Sequence, residues 1–114
     1  MTYRIEISPT AIADIEKIFL WHRDYSVDEA HRWVRGCYEI MLKLENFPHR
    51  CAIAIESEYL NLSIRQLLYR KQYKILFTVQ ENRPQNIVQI HRVLRASQAR
   101  LDTPEELFGQ SEEE

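Results

Sequence analysis

The apolar residues of this chain change their spacing twice. Tyr3, Ile5 and Ile7 alternate with Arg4 and Glu6, a period of two that reads as a strand. From Ile12 to Leu44 the apolar positions recur every three or four residues, the period of a helix, and from Leu62 to Leu94 alternation returns. A chain that switches period in this way is neither all-α nor all-β. The order strand, two helices, three strands predicts an α+β fold, with a mostly antiparallel sheet of about four strands packed on an α-helical hairpin.

Local signals fix most element ends. Ser8-Pro9 combines a capping serine with a proline at the first helical position, where its missing N–H costs nothing. Ile12, Ile15, Ile18, Phe19 and His22 form the apolar stripe of a first helix that should end near Tyr25. Ser26-Val27-Asp28-Glu29 has capping-box spacing. Ala30, Trp33, Val34, Cys37, Ile40, Met41 and Leu44 continue as the stripe of a second helix, closed before Pro48. So short a connection makes the helices an antiparallel pair. Pro48–Asn61 has no clear period and reads as a loop with a short strand near Ala52–Ile55. Leu62–Tyr69, Tyr73–Val79 and Ile87–Leu94 read as strands, the last two joined by a turn-forming Asn82–Asn86 stretch. Thr103-Pro104-Glu105-Glu106 repeats the capping-box spacing and predicts a short terminal helix. With 114 residues, the expected organisation is one domain over residues 1–101 and an acidic tail over 102–114.

Several function classes carry no signal. No apolar run approaches the roughly 18–20 residues that span a bilayer, and MTYRIEISPT lacks the basic and apolar blocks of a secretory signal. Cys37 and Cys51 make no disulfide framework, so the chain reads as cytoplasmic with reduced thiols. Its four histidines are scattered without metal-ligand spacing, and neither a metal nor a cofactor is expected.

Charge is informative only when divided along the chain. Met1–Leu62 carries seven basic and ten acidic residues; Ser63–Arg100 carries eight basic residues against Glu81 alone; beyond Leu101 there are six acids and no base. Within the cationic region, "SIRQLLYRKQYKILFTV" alternates apolar residues with arginine and lysine. If Leu68 pairs with Tyr73, then Ile64, Leu68, Tyr73, Ile75 and Phe77 share one face, and Arg65, Leu67, Lys74 and Leu76 the other. The plain reading of Arg65 and Lys74 is a solvated sheet face. Against it, Arg92 and Arg95 extend the cations into the next strand, and Tyr69, Tyr73 and His91 are interleaved among them. That pattern suits an anionic partner bound at Arg65, Lys74, Arg92 and Arg95. The acidic tail could fold back over this face in place of such a partner.

Four segments, "YRIEISPTAIADIEKI", "DEAHRWVRGCYEIMLKLENFP", "IRQLLYRKQYKILFTV" and "NIVQIHRVLRASQ", resemble the RelE/ParE superfamily of toxins from type II toxin–antitoxin modules (plasmid stabilization systems). The resemblance covers most of Tyr3–Leu101. It implies this same fold, and a cognate antitoxin that wraps the toxin as a hetero-oligomer.

The superfamily contains two chemistries. RelE-like members are metal-independent endoribonucleases that cut mRNA on the ribosome; ParE-like members inhibit DNA gyrase. Arg65 occupies the position of the first RelE-like sheet lysine and Lys74 that of the arginine after the hairpin tyrosine. The second sheet lysine falls at Leu67, which can neither donate to a phosphate nor shuttle a proton. Arg95 approximates the basic carboxy-terminal position, and no tyrosine follows it. Proton transfer would then rest on His91, the nearby group whose unperturbed pKa suits the task. These departures favour the ParE-like branch. The alternatives are a RelE-like ribonuclease using Arg65, Lys74, Arg92, Arg95 and His91, and an inactive antitoxin-binding protein of the same fold.

Overall fold

A computed structural model describes residues 2–82, 85–98, 100–101 and 103–109. Strand β1 (Arg4–Ile7) leads into α1 (Pro9–Arg23) and α2 (Val27–Leu42), followed by 3₁₀ turns at Lys43–Glu45 and Pro48–Arg50. Then come β2 (Ala52–Ile53), α3 (Glu56–Leu60), β3 (Arg65–Tyr69), β4 (Tyr73–Asn82), β5 (Gln85–Arg95) and α4 (Pro104–Phe108). The five strands form one sheet in the order β1-β5-β4-β3-β2, with β1 parallel to β5 and the other pairs antiparallel. This is the expected α+β architecture.

The caps form as the sequence predicts. Ser8 Oγ accepts the Ala11 N–H at 3.0 Å, and Ser26 Oγ accepts the Glu29 N–H at 3.1 Å. At α4 both halves of the Thr103–Glu106 capping box are present. Of the predicted acidic tail, Asp102 and residues 110–114 lie outside the described residues.

The main core joins Ala11 and Ile15 of α1 and Trp33, Cys37 and Met41 of α2 to Tyr69, Tyr73, Ile75, Phe77, Val88, Ile90 and Val93 of the sheet. Ile12, placed on the stripe by its spacing, is instead exposed, because Ala11 takes the inward position. A second cluster, formed by Ala54, Leu60, Ile64, Leu76, Leu94, Leu101 and Leu107, packs on the opposite side of the sheet. The sheet face that its alternation left free is therefore partly covered by α3 and the C-terminal segment.

The hairpin register departs from expectation by one residue. Tyr69, not Leu68, pairs with Tyr73, so Leu67 lies opposite Ile75, Arg65 opposite Phe77 and Leu68 opposite Lys74. A one-residue slip exchanges the faces of a strand. Here it is decided by the tyrosines, which are both buried against α2; the Tyr69 hydroxyl donates to the Trp33 carbonyl at 2.8 Å. The turn accommodates the register by holding Arg70 (φ 54°) and Lys71 (φ 61°) in the left-handed region. Arg65 thus faces the helical side with Leu67 and Ile75, and Lys74 shares the opposite side with Leu68 and Leu76.

Gly36 marks where α2 meets that hairpin: a Cβ there would lie 2.2 Å from the Tyr69 hydroxyl. Alanine improves a helix interior by about 1 kcal/mol, but here it must displace a phenol that is buried and hydrogen-bonded. Gly36→Ala is expected to lower the unfolding free energy by about 1–2 kcal/mol net, measured by urea denaturation. An unchanged or raised midpoint would show that the phenol moves freely.

Candidate functional site

The candidate anion-binding residues have separate surroundings. The Arg65 guanidinium donates to the carbonyls of His49 (3.1 Å) and Cys51 (2.7 Å), tying β3 to the loop before it. Lys74 is 7% exposed and its Nζ lies 2.7 Å from Oε2 of Glu56, which is fully buried. That oxygen also accepts the Leu101 N–H, while Oε1 has no hydrogen-bond partner among the described residues. Arg92 makes a two-point contact with Asp14, Nε to Oδ2 at 2.7 Å and Nη2 to Oδ1 at 3.0 Å, and also donates to the Glu106 carbonyl. Asp14 Oδ2 also receives the Val93 N–H at 2.9 Å.

His91 occupies a bulge, where β4 pairs Leu76 with Arg92 and then Phe77 with Ile90. Its Nε2 shares a 2.9 Å hydrogen bond with Thr78 Oγ1, and the Phe108 ring meets it edge-on. Burial pushes the imidazole down to about 4. The side chain is therefore neutral near pH 7 and weakly basic, a poor match for proton transfer at that pH.

Arg95 differs from the others. It is exposed, and its guanidinium carbon lies 4.5 Å from the centroid of the Trp21 ring. Two adjoining grooves share these residues. One, of about 230 Å³, runs between α1 and the end of β5 and is lined by Asp14, Lys17, Ile18, Trp21, Arg92–Arg95 and Gln98. The other, of about 440 Å³, lies between the β3–β4 turn and the exit of β5, lined by Trp21, Lys71–Tyr73 and Arg95–Ser97. Arg92 and Arg95 are thus brought together, whereas Arg65, Lys74 and His91 do not line either groove.

An aromatic cluster supports Trp21. Its ring meets His22 edge-on at 5.0 Å and Tyr25 at 5.1 Å; His22 stacks on Trp33 and shares a 3.1 Å hydrogen bond with the Tyr73 hydroxyl. Burial holds the His22 imidazole below its ordinary pKa. The turn that presents Lys71 is braced from α2: Arg70 pairs with Glu29 at 2.5 Å, and this contact keeps the Glu29 carboxyl below the usual carboxylate range. Two consecutive left-handed residues without glycine or asparagine cost roughly 1–3 kcal/mol each, offset here by the contacts of Tyr69 and Arg70 with α2. Among the described residues, Lys17, Lys71 and Arg95 have no carboxylate partner.

Trp21, Lys17 and Lys71 were not among the sequence-predicted site residues. A signal existed for two of them: Asp14, Lys17 and Trp21 share a helix face beside the apolar stripe, so a large aromatic stands off the buried side. Lys71 carried no such mark, because its role depends on the turn.

A family model described as "ParE toxin of type II toxin-antitoxin system, parDE" matches residues 5–100. A solved structure, "Chromosomal ParDE TA system from P. aeruginosa", resembles this fold with a TM-score of 0.64 and 19% sequence identity. The match covers 82% of this chain and 96% of that one. A search of curated proteins finds no match.

Proposed function

This chain belongs to the ParE toxin family of type II toxin–antitoxin systems, and from that premise we propose that it arrests growth by binding DNA gyrase through the Trp21–Arg95 groove. In this reading a cognate antitoxin neutralises it in the cytoplasm; the fold's similarity to a structure described as a ParDE TA system supports the antitoxin partner. No helix among the described residues is long and apolar enough to cross a membrane.

The observation that carries this reading is the difference between engaged and available cations. Ribonuclease chemistry at Arg65, Lys74 and Arg92 requires guanidinium and ammonium groups free to hold a phosphate. Here Arg65 satisfies carbonyls, Lys74 neutralises Glu56 and Arg92 neutralises Asp14. Arg95, Lys17 and Lys71 instead face a concave surface with half-exposed Trp21 at its centre. An exposed cation stacked on an aromatic ring is a frequent anchor in protein interfaces.

The test is inducible expression in bacteria, beside a supercoiling assay with purified gyrase and primer extension on reporter mRNAs. Wild-type protein should inhibit gyrase and leave mRNA intact. Arg95→Glu should weaken inhibition at least about tenfold, the equivalent of ~1.4 kcal/mol, with an unchanged circular dichroism spectrum. Codon-positioned mRNA cuts without gyrase inhibition would establish the ribonuclease reading. Absence of growth arrest would leave an inactive antitoxin-binding protein.

A further inference from the structure

We propose that the Trp21–Arg95 groove takes a single strand of nucleic acid, with phosphate held by Arg95 and Lys71 and an unpaired base stacked outside the groove on Tyr25, whose ring meets that of Trp21. The proposal rests on the groove being the target-binding site and specifies what part of a gyrase–DNA target it contacts.

Charge comes first. Asp14, the one carboxylate among the described residues lining these grooves, is engaged by Arg92 and the Val93 N–H. What faces solvent is cationic: Lys17, Lys71 and Arg95. With its guanidinium carbon 4.5 Å from the Trp21 ring centroid and the side chain exposed, Arg95 is placed to donate to a phosphate. Ser97, Gln72 and Gln98 add hydroxyl and amide groups that bond to phosphate or sugar oxygens without reading sequence.

The aromatics decide which polyanion fits. Tyr25 is 77% exposed and Trp21 45%, with ring centroids 5.1 Å apart; Arg95 lies over the Trp21 ring, and the more exposed Tyr25 adjoins it. Exposed ring faces stack on unpaired bases; a duplex keeps its base faces buried and offers only phosphates and groove edges. An acidic protein surface would pair with the cations, whereas an unpaired base also offers a flat face to stack on the exposed Tyr25 ring. Grooves of about 230 and 440 Å³ are close to the scale of small-ligand sites, roughly 300–1,000 Å³. That scale suits a nucleotide unit. The shared chemistry is that of a single-stranded polynucleotide, whether DNA or RNA.

Fluorescence anisotropy with a labelled 12-nucleotide DNA strand, the same sequence as RNA, and the DNA duplex tests the idea at 50 and 200 mM salt. At least one single strand should bind several-fold tighter than the duplex, and the DNA and RNA arms identify which source is preferred. Tyr25→Ala should weaken single-strand binding about 5- to 150-fold while leaving duplex binding unchanged. Lys71→Ala should reduce the salt slope by about 0.7. Tryptophan quenching on binding should persist in wild type and vanish in Trp21→Phe. Melting curves confirm that these surface variants remain folded. No single-strand binding at 50 mM salt, or binding indifferent to both Tyr25 and Trp21, would overturn the proposal. So would displacement by polyglutamate at equal charge with the same affinity in Tyr25→Ala, which identifies an acidic protein partner instead. If these assays fail while Arg95→Glu still abolishes gyrase inhibition, the groove remains the target site and only its ligand is wrong.

Discussion

Lys74→Met is expected to lower the unfolding free energy by about 3–5 kcal/mol, because it leaves the carboxylate of Glu56 buried with no opposing charge. In a chain of this size each kcal/mol shifts the melting midpoint by roughly 3–6 °C, so the loss should exceed ten degrees. Glu56 is already short of partners: Oε2 has Lys74 and the Leu101 N–H, and Oε1 has none among the described residues. Removing the ammonium leaves a single backbone donor for the whole group. Replacing both partners by apolar residues removes the desolvation penalty as well as the attraction, so Lys74→Met/Glu56→Leu should recover most of the stability. Urea denaturation followed by circular dichroism measures all three proteins. The double variant also separates structure from activity. If Lys74 only holds the second cluster together, that variant matches wild type in the growth-arrest assay; if Lys74 contacts an anionic target, it is stable but inactive. A single variant within about 1 kcal/mol of wild type would show that the pair contributes little and that Lys74 is available for another partner.

The same pair shows why the fold was legible and the site only partly so. Caps, stripes and alternation act over a few residues, and Ser8, Ser26 and Thr103 each cap the helix their spacing predicts. Helix α3 was missed because it is five residues long, lacks a side-chain N-cap and is held by tertiary contacts, with Ser57 accepting the Ile64 N–H. The hairpin register depended on which tyrosine reached Trp33, a contact that no local spacing encodes. Dividing charge along the chain correctly marked residues 63–100 as cationic. It could not see that Asp14, Glu29 and Glu56 from the acidic first half would fold against Arg92, Arg70 and Lys74. After those pairings the cations without a carboxylate partner include Lys17, Lys71 and Arg95, supplied by α1, a turn and the end of β5. The groove exists only where those three segments meet, so its residues share no sequence motif.

His91 should make the protein sensitive to mild acid. Its imidazole titrates at about 4 in the folded chain, because burial disfavours the charged ring, and near 6.5 when unfolded. Between those values the unfolded state binds the proton and the folded state does not, so stability rises with pH across the window and falls as pH drops from 6.5 towards 4. The full contribution is about 3 kcal/mol. His22, also held below its ordinary value by burial, acts in the same direction, whereas the lowered carboxyls of Glu29 and Glu81 act in more acidic solution, below about pH 4.5. The informative quantity is therefore the difference between wild type and His91→Gln, which can keep a hydrogen bond to Thr78 but does not titrate. Unfolding free energies at pH 7.0 and 5.0 should fall more in wild type, by about 2 kcal/mol, than in the variant. Equal slopes would mean that His91 is hydrated and titrates normally. A normally titrating His91 would restore the proton carrier that cleavage through a 2′-hydroxyl needs, whereas an imidazole locked neutral beside Thr78 and Phe108 is poorly suited to that role at pH 7.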